Sequence, residues 1–186
     1  MAAKKRAAKK RIVAIVGSVT KGRSFISWLG NYVTGSDTVL QEIGSEGDVD
    51  VFINSPGGSV FAGFEILNAL NVAIEQGRAV TIYVSPLAAS IASYISCGVK
   101  GAKVYLSDNA KLMFHAPWTG IVGSKSQFRD TADLLEQMEG DIASAVESRG
   151  AVAEPGWFET GRATFISAKE AVRLKLADAV RLPPIK

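Results

Sequence analysis

A β-branched run at residues 49–54 (VDVFIN) stops at the turn formers Ser55, Pro56, Gly57 and Gly58. A helical stripe follows, Phe64, Leu67, Leu70 and Ile74, closed by Gly77 and succeeded by a second strand-like run at 79–84 (AVTIYV). Strand, helix and strand in such close succession form a βαβ unit, which requires a largely parallel sheet with helices on its faces. No other feature restricts the fold as much.

The same alternation runs along the rest of the chain. Residues 11–16 (RIVAIV), 103–106, 111–115 and 179–182 read as strands. Residues 38–45 read as a short helix with Ser36 or Asp37 as N-cap, and 88–97 (AASIASYISC) as a helix rich in small residues. Ser124 to Gln127 has the capping-box pattern and opens a long helix with Leu135, Met138, Ile142 and Val146 on one stripe. Ser167 to Glu170 repeats the pattern before the last strand. In such folds ligands gather at the carboxyl ends of strands, which directs attention to 55–59, 85–90 and the segment after His115.

Composition excludes several classes. At 47% apolar and 21% charged residues the chain is ordinary globular material. The net charge of +3 is unevenly placed: Lys4, Lys5, Arg6, Lys9, Lys10 and Arg11 crowd the start without an acid, and the remainder is slightly acidic. Residues 1–10 therefore read as a disordered basic tail and 11–186 as one domain. A solvated arm is favoured over docking onto acidic capsid, scaffold or nucleic-acid surfaces. A single cysteine, Cys97, and a single histidine, His115, leave no disulfide and no ordinary structural zinc site. Five apolar residues at 12–16 are too few for a signal peptide, and the uncharged stretch 79–99 has too many serines to be a membrane span, so a cytoplasmic setting is expected.

Three short motifs carry chemistry. The Gly57-Gly58 pair lets the backbone approach a ligand closely, and amides beside a helix start suit a developing oxyanion. Ser90 lies where a strand ends and a helix begins, with Ala88, Ala89 and Ala92 leaving room around it. Read alone it is a capping serine, and Ser85, Ser93 and Ser96 compete with it. Were the chain a serine–histidine enzyme, His115 would have to be the base. Read alone, that histidine is a strand-end residue bonded to a carbonyl.

Taken together, in this order and spacing, VDVFINSPGGSVFAGFEI, AASIAS and KLMFHAPWTG resemble the Clp peptidase (ClpP) family of serine proteases, in particular its phage-associated, head-maturation-protease-like branch. The resemblance spans about residues 11–180. It implies a ClpP/crotonase-like α/β fold of repeated ββα units, with a mostly parallel sheet and a protruding handle helix. It further implies Ser90 as nucleophile, His115 as general base, and the amides of Gly58 and Ile91 as oxyanion hole. Substrate would lie as an extended strand beside Gly57, Ser59 and Val60, with Pro117 and Trp118 on its other side. The family's third catalytic residue, an aspartate, falls at Ala163 here. Glu159, Thr164 or a backbone carbonyl are the candidates to orient the imidazole, and Asp178 reads rather as a turn or ladder residue.

The expected function is a serine endopeptidase, ATP-independent in itself, using no metal or organic cofactor. It would form a homo-oligomeric ring or stacked rings, with capsid or scaffold proteins as substrates or a Clp-type ATPase as partner. The missing aspartate motivates a second reading, a non-catalytic ring subunit or assembly factor, which a serine-directed reagent would distinguish. A third, an acyl-CoA-handling enzyme of crotonase fold, rests on fold analogy alone and finds no adenine- or pantetheine-binding motif.

Overall fold

The computed structural model describes residues 10–27, 31–151, 153, 156–158 and 161–184. The elements run β1 (Arg11–Val16), β2 (Ser18–Thr20), β3 (Phe25–Ile26), β4 (Tyr32–Gly35), α1 (Ser36–Ile43), β5 (Val49–Ser55), α2 (Val60–Glu75), β6 (Val80–Ala89), α3 (Ile91–Cys97), β7 (Lys103–Leu106), β8 (Lys111–Phe114), α4 (Lys125–Glu147), β9 (Thr164–Ser167), α5 (Ala168–Arg173) and β10 (Ala179–Val180). The expected basic tail lies outside the described residues apart from Lys10. The Lys10 Nζ sits 2.8 Å from Oδ1 of Asp50, whose carboxylate is buried in the sheet.

Alternation along the strands decides the core. Val13 and Ile15, Val49, Val51 and Ile53, Ile82 and Val84, and Val104 and Leu106 all turn one way and are buried. They meet Ile66 and Leu70 of α2 and Ile91 and Ile95 of α3 in one cluster. Burying each large aliphatic side chain contributes roughly 1.5–3 kcal/mol. On other strand positions Phe52 stacks on Tyr83 and Tyr83 lies beside Tyr105, with centroids 5.2 and 5.6 Å apart, and the Arg181 guanidinium sits over Tyr105.

The main sheet has the order β1-β5-β6-β7-β10, every pair parallel. The α/β architecture with a mostly parallel sheet is as expected. Several local expectations differ. Residues 88 and 89 end a ten-residue β6 rather than opening a helix, because Leu87–Ala89 pairs with Lys111–Met113 of β8. The N-cap of α1 is Gly35, and Ser36 instead donates to Glu65 Oε2 at 2.8 Å. The last strand stops at Val180. A second sheet, β2-β4-β3, has no counterpart in the sequence reading.

Ser124 caps α4 with both halves of the box, its Oγ accepting from the Gln127 amide and its amide donating to Gln127 Oε1. Only Met138, Ile142 and Val146 of α4 are buried, all in its second half, so the helix is anchored to the domain by that half. At α5 the box is half made: Ser167 Oγ accepts from the Glu170 amide, but the Glu170 carboxylate turns to Arg173.

Gly63 of α2 packs directly against Ile91 of α3. A Cβ there would lie 2.0 Å from Ile91 Cγ1. Gly63→Ala is expected to destabilise the protein by about 1–3 kcal/mol through overpacking. Denaturant unfolding measures it, and an unchanged midpoint would show that this contact is soft.

Candidate active site

Three strand ends converge. The long β6 pairs with β5 on one edge, where Ser55 lies opposite Ala88. On the other edge its last residues pair with β8, where Ala89 lies opposite Met113. Each chain leaves the sheet within two residues of these points. The glycine pair, Ser90 and His115 are thereby delivered side by side.

Ser90 adopts φ 55° and ψ −130°, a conformation rare for a residue with a side chain. Such a backbone costs about 1–3 kcal/mol and persists only where its surroundings hold it. They do so here. The Ser90 amide donates to the Met113 carbonyl at 2.9 Å. One turn on, the buried Ser93 hydroxyl lies 2.7 Å from the Ala88 carbonyl and 2.8 Å from that of Met113, and it accepts from the Met113 amide. The result is a sharp strand-to-helix turn with the Ser90 side chain on its outside. Its Oγ does not cap α3 but lies 2.8 Å from His115 Nε2. The competing serines are engaged elsewhere: Ser96 donates to the Ser93 carbonyl and Ser85 accepts from Ser107.

The glycine loop is wedged against this turn. At φ +96°, Gly57 sits so close that a Cβ on it would lie 2.7 Å from Ser90 Cβ and 2.6 Å from the Ala89 oxygen. Both its polar groups are used inside the protein: its amide donates to Ser55 Oγ and its carbonyl accepts from Val19. Val19 of β2 also accepts from the Ser59 amide, closing a short parallel bridge around Gly58. Gly58, at φ +147°, packs against Val19 so closely that a Cβ on it would lie 2.1 Å from the Val19 oxygen, while the bridge bonds are made by its neighbours Gly57 and Ser59. The Gly58 amide and that of Ile91, the first residue of α3, have no acceptor among the described residues. Ser59 caps α2, with Oγ accepting from the Ala62 amide.

His115 follows β8 directly and is half-buried. Its Nδ1 lies 2.6 Å from the Ala116 carbonyl oxygen. Of the candidates for the third position, Ala163 shares a cleft with the imidazole, and Thr164 is held in the β8–β9 ladder opposite Phe114. Glu159 lies outside the described residues. Asp178 belongs to another part of the fold, where its Oδ2 accepts from the Val104 amide at 2.7 Å and from Arg149 at 3.0 Å, with Lys103 3.6 Å from Oδ1. Burial works against its charge, but these donors together hold its carboxyl below the usual aspartate value.

Two clefts flank the pair, divided by Pro117 and Trp118. One, of about 500 Å³, is lined by Met113, His115, Arg162 and Ala163. The other, of about 240 Å³, runs from Gly58, Val60 and Phe61 to Leu134 and Met138 of α4. Ser59 lines it too. Val19 leaves no signal in the sequence, and a backbone carbonyl facing the imidazole is expected from it without a residue to name. A three-residue strand has too short a period to detect, and a carbonyl leaves no mark in the residue type. Ser93 was read as a hydroxyl bonding back to backbone, without its bridge to β8.

The family model for Clp proteases matches residues 2–182. Over 143 residues the chain is 32% identical to the ATP-dependent Clp protease proteolytic subunit 1 of Bacillus cereus (strain ATCC 10987 / NRS 248), covering 76% of this chain and 72% of that protein.

The Asp178 cluster has a signature in acid. A carboxyl depressed by folding adds stability that is present above its ordinary titration range and is lost as pH falls through the folded value. Asp178→Asn is expected to lower stability at pH 7, with the gap from wild type closing below about pH 4. Denaturation at both pH values tests this, and a gap constant with pH would remove the ionic contribution.

Proposed function

The chain belongs to the Clp protease family, whose members are serine peptidases, and from that premise we propose that it is a serine endopeptidase acting through Ser90 and His115. The observation that supports this most is the 2.8 Å approach of Ser90 Oγ to Nε2 of the only histidine in the chain.

In this mechanism Oγ attacks a peptide carbonyl while Nε2 takes its proton. The oxygen that becomes negative is received by the amides of Gly58 and Ile91, each such donor being worth about 10²–10³ in turnover. The protonated Nε2 then delivers its proton to the departing amine, leaving an acyl-serine. Water, deprotonated by the same nitrogen, releases the acid and restores the hydroxyl. These steps consume no nucleotide.

Substrate binds as an extended strand beside Gly58, where main-chain bonds accept many sequences. The cleft between Val60, Trp118, Leu134 and Met138 takes an apolar side chain of the substrate. Val122, fully exposed before α4, and Phe128, half exposed on its first half, support assembly with further copies of the chain into rings. The phage-type resemblance of the three motifs supports capsid or scaffold proteins as substrates.

Intact mass after exposure to a fluorophosphonate should show one adduct on wild type, and none on Ser90→Ala or His115→Ala. Peptide hydrolysis should fall at least about 10²-fold in either variant, the part of the roughly 10⁶-fold loss seen with an intact triad that remains once the aspartate is absent. An unmodified, folded and assembled wild type would instead identify a ring component without catalysis.

A further inference from the structure

A histidine serving a serine must carry its proton on Nδ1 and keep the Nε2 lone pair free, and some third group has to hold it so. That requirement applies here if Ser90 and His115 act as proposed above, and the following inference rests on that reading. We propose that the main-chain carbonyl of Ala116 is this third group, and that Pro117 keeps it in place.

The chemistry of the two contacts determines the tautomer. A carbonyl oxygen can only accept, so Nδ1, 2.6 Å from the Ala116 oxygen, is the donor. In a neutral ring the lone pair is then on Nε2, and at 2.8 Å the Ser90 hydroxyl must donate to it. Proton direction is thus set along the whole line from Ser90 through the ring to the main chain. No side chain competes among the described residues: Ala163 has none to offer, and the Asp178 carboxylate is held by Val104, Arg149 and Lys103.

The carbonyl needs its own support, and the neighbouring residues provide it from both directions. A residue preceding proline is confined to extended backbone, which restricts the rotation that would swing the Ala116 oxygen away. The Ala116 side chain is itself buried. Before His115, Phe114 is fully buried, paired with Thr164 across the β8–β9 ladder and stacked on Trp157 at 4.6 Å. The segment is therefore anchored before His115 by Phe114 and restricted after it by Pro117, with the imidazole bonded to the carbonyl between them. Ala116 is a positioning residue: it acts through His115 and not on substrate.

Because the chain has one histidine, labelling with ¹⁵N-histidine yields one pair of ring nitrogens, read by NMR on the substrate-free full-length protein. With the ring neutral, the expected spectrum is a protonated Nδ1 with a proton shifted downfield and slow to exchange, and an unprotonated Nε2. The same spectrum should persist in Ser90→Ala, since the carbonyl and not the serine holds the tautomer. In Pro117→Ala the two nitrogens should move toward an exchange average, with the fluorophosphonate labelling rate falling on the order of 10²-fold. A protonated Nε2 in wild type, loss of the tautomer in Ser90→Ala, or an unchanged spectrum in Pro117→Ala would each overturn the proposal. Absence of any serine adduct alongside the expected spectrum would instead locate the failure in the protease reading.

Discussion

The register between the last three residues of β6 and the first three of β8 is the constraint on which the site depends. Ala89 opposite Met113 places Ser90 and His115 one and two residues beyond a paired end, and main-chain bonds carry the pairing past the last ladder position through the Ser90 amide. A slip of one residue would turn Met113 and Phe114 to opposite faces and remove His115 from the serine. Ser93 guards against it. Its hydroxyl touches carbonyls of both strands from inside α3, so helix and register are tied by one buried atom.

This explains how Ser90 can keep a strained backbone. The local cost, of order 1–3 kcal/mol, is set against a fully buried α3, a bonded amide and a glycine that leaves no room for the loop to retreat. The strain lifts Oγ off the helix cap, where a relaxed serine would bond to its own backbone, and turns it to the imidazole. Gly57 and Gly58 therefore have different tasks. Gly57 is a spacer whose polar groups are both engaged internally, whereas the Gly58 amide has no acceptor among the described residues.

Long-period patterns made the fold legible: the alternating runs of β1, β5 and β6, the stripe of α2 and the capping box of α4 all came through in the residues. The groups at Gly58, Ser90 and His115 stood out only through the resemblance of the three motifs taken together, since each alone reads as a turn, a helix cap or a strand end. Elements shorter than their own period were not. Ser18–Thr20 shows no alternation, yet Val19 clamps the glycine loop. Residues 88–89 read as helix because alanine favours it, and the pairing with β8 overrode that propensity. Main-chain groups such as the Ala116 carbonyl are carried by every residue type, so only coordinates reveal which one faces a ring nitrogen.

Replacing a carboxylate by a carbonyl removes less than it first suggests. When the triad aspartate of a serine protease is changed to asparagine, turnover falls about 10⁴-fold, because the amide imposes the wrong tautomer as well as lacking the charge. A carbonyl lacks the charge but imposes the right tautomer. If Ser90 and His115 act as proposed, the deficit is confined to the electrostatic part, the stabilisation of the imidazolium, and should stay below that 10⁴-fold figure. A dipole at 2.6 Å recovers some of it in a half-buried setting where water screens poorly. On this physical ground an alanine at position 163, where the resemblance implies the aspartate, is compatible with the serine–histidine pair proposed, and the residue type there does not by itself mark a dead site.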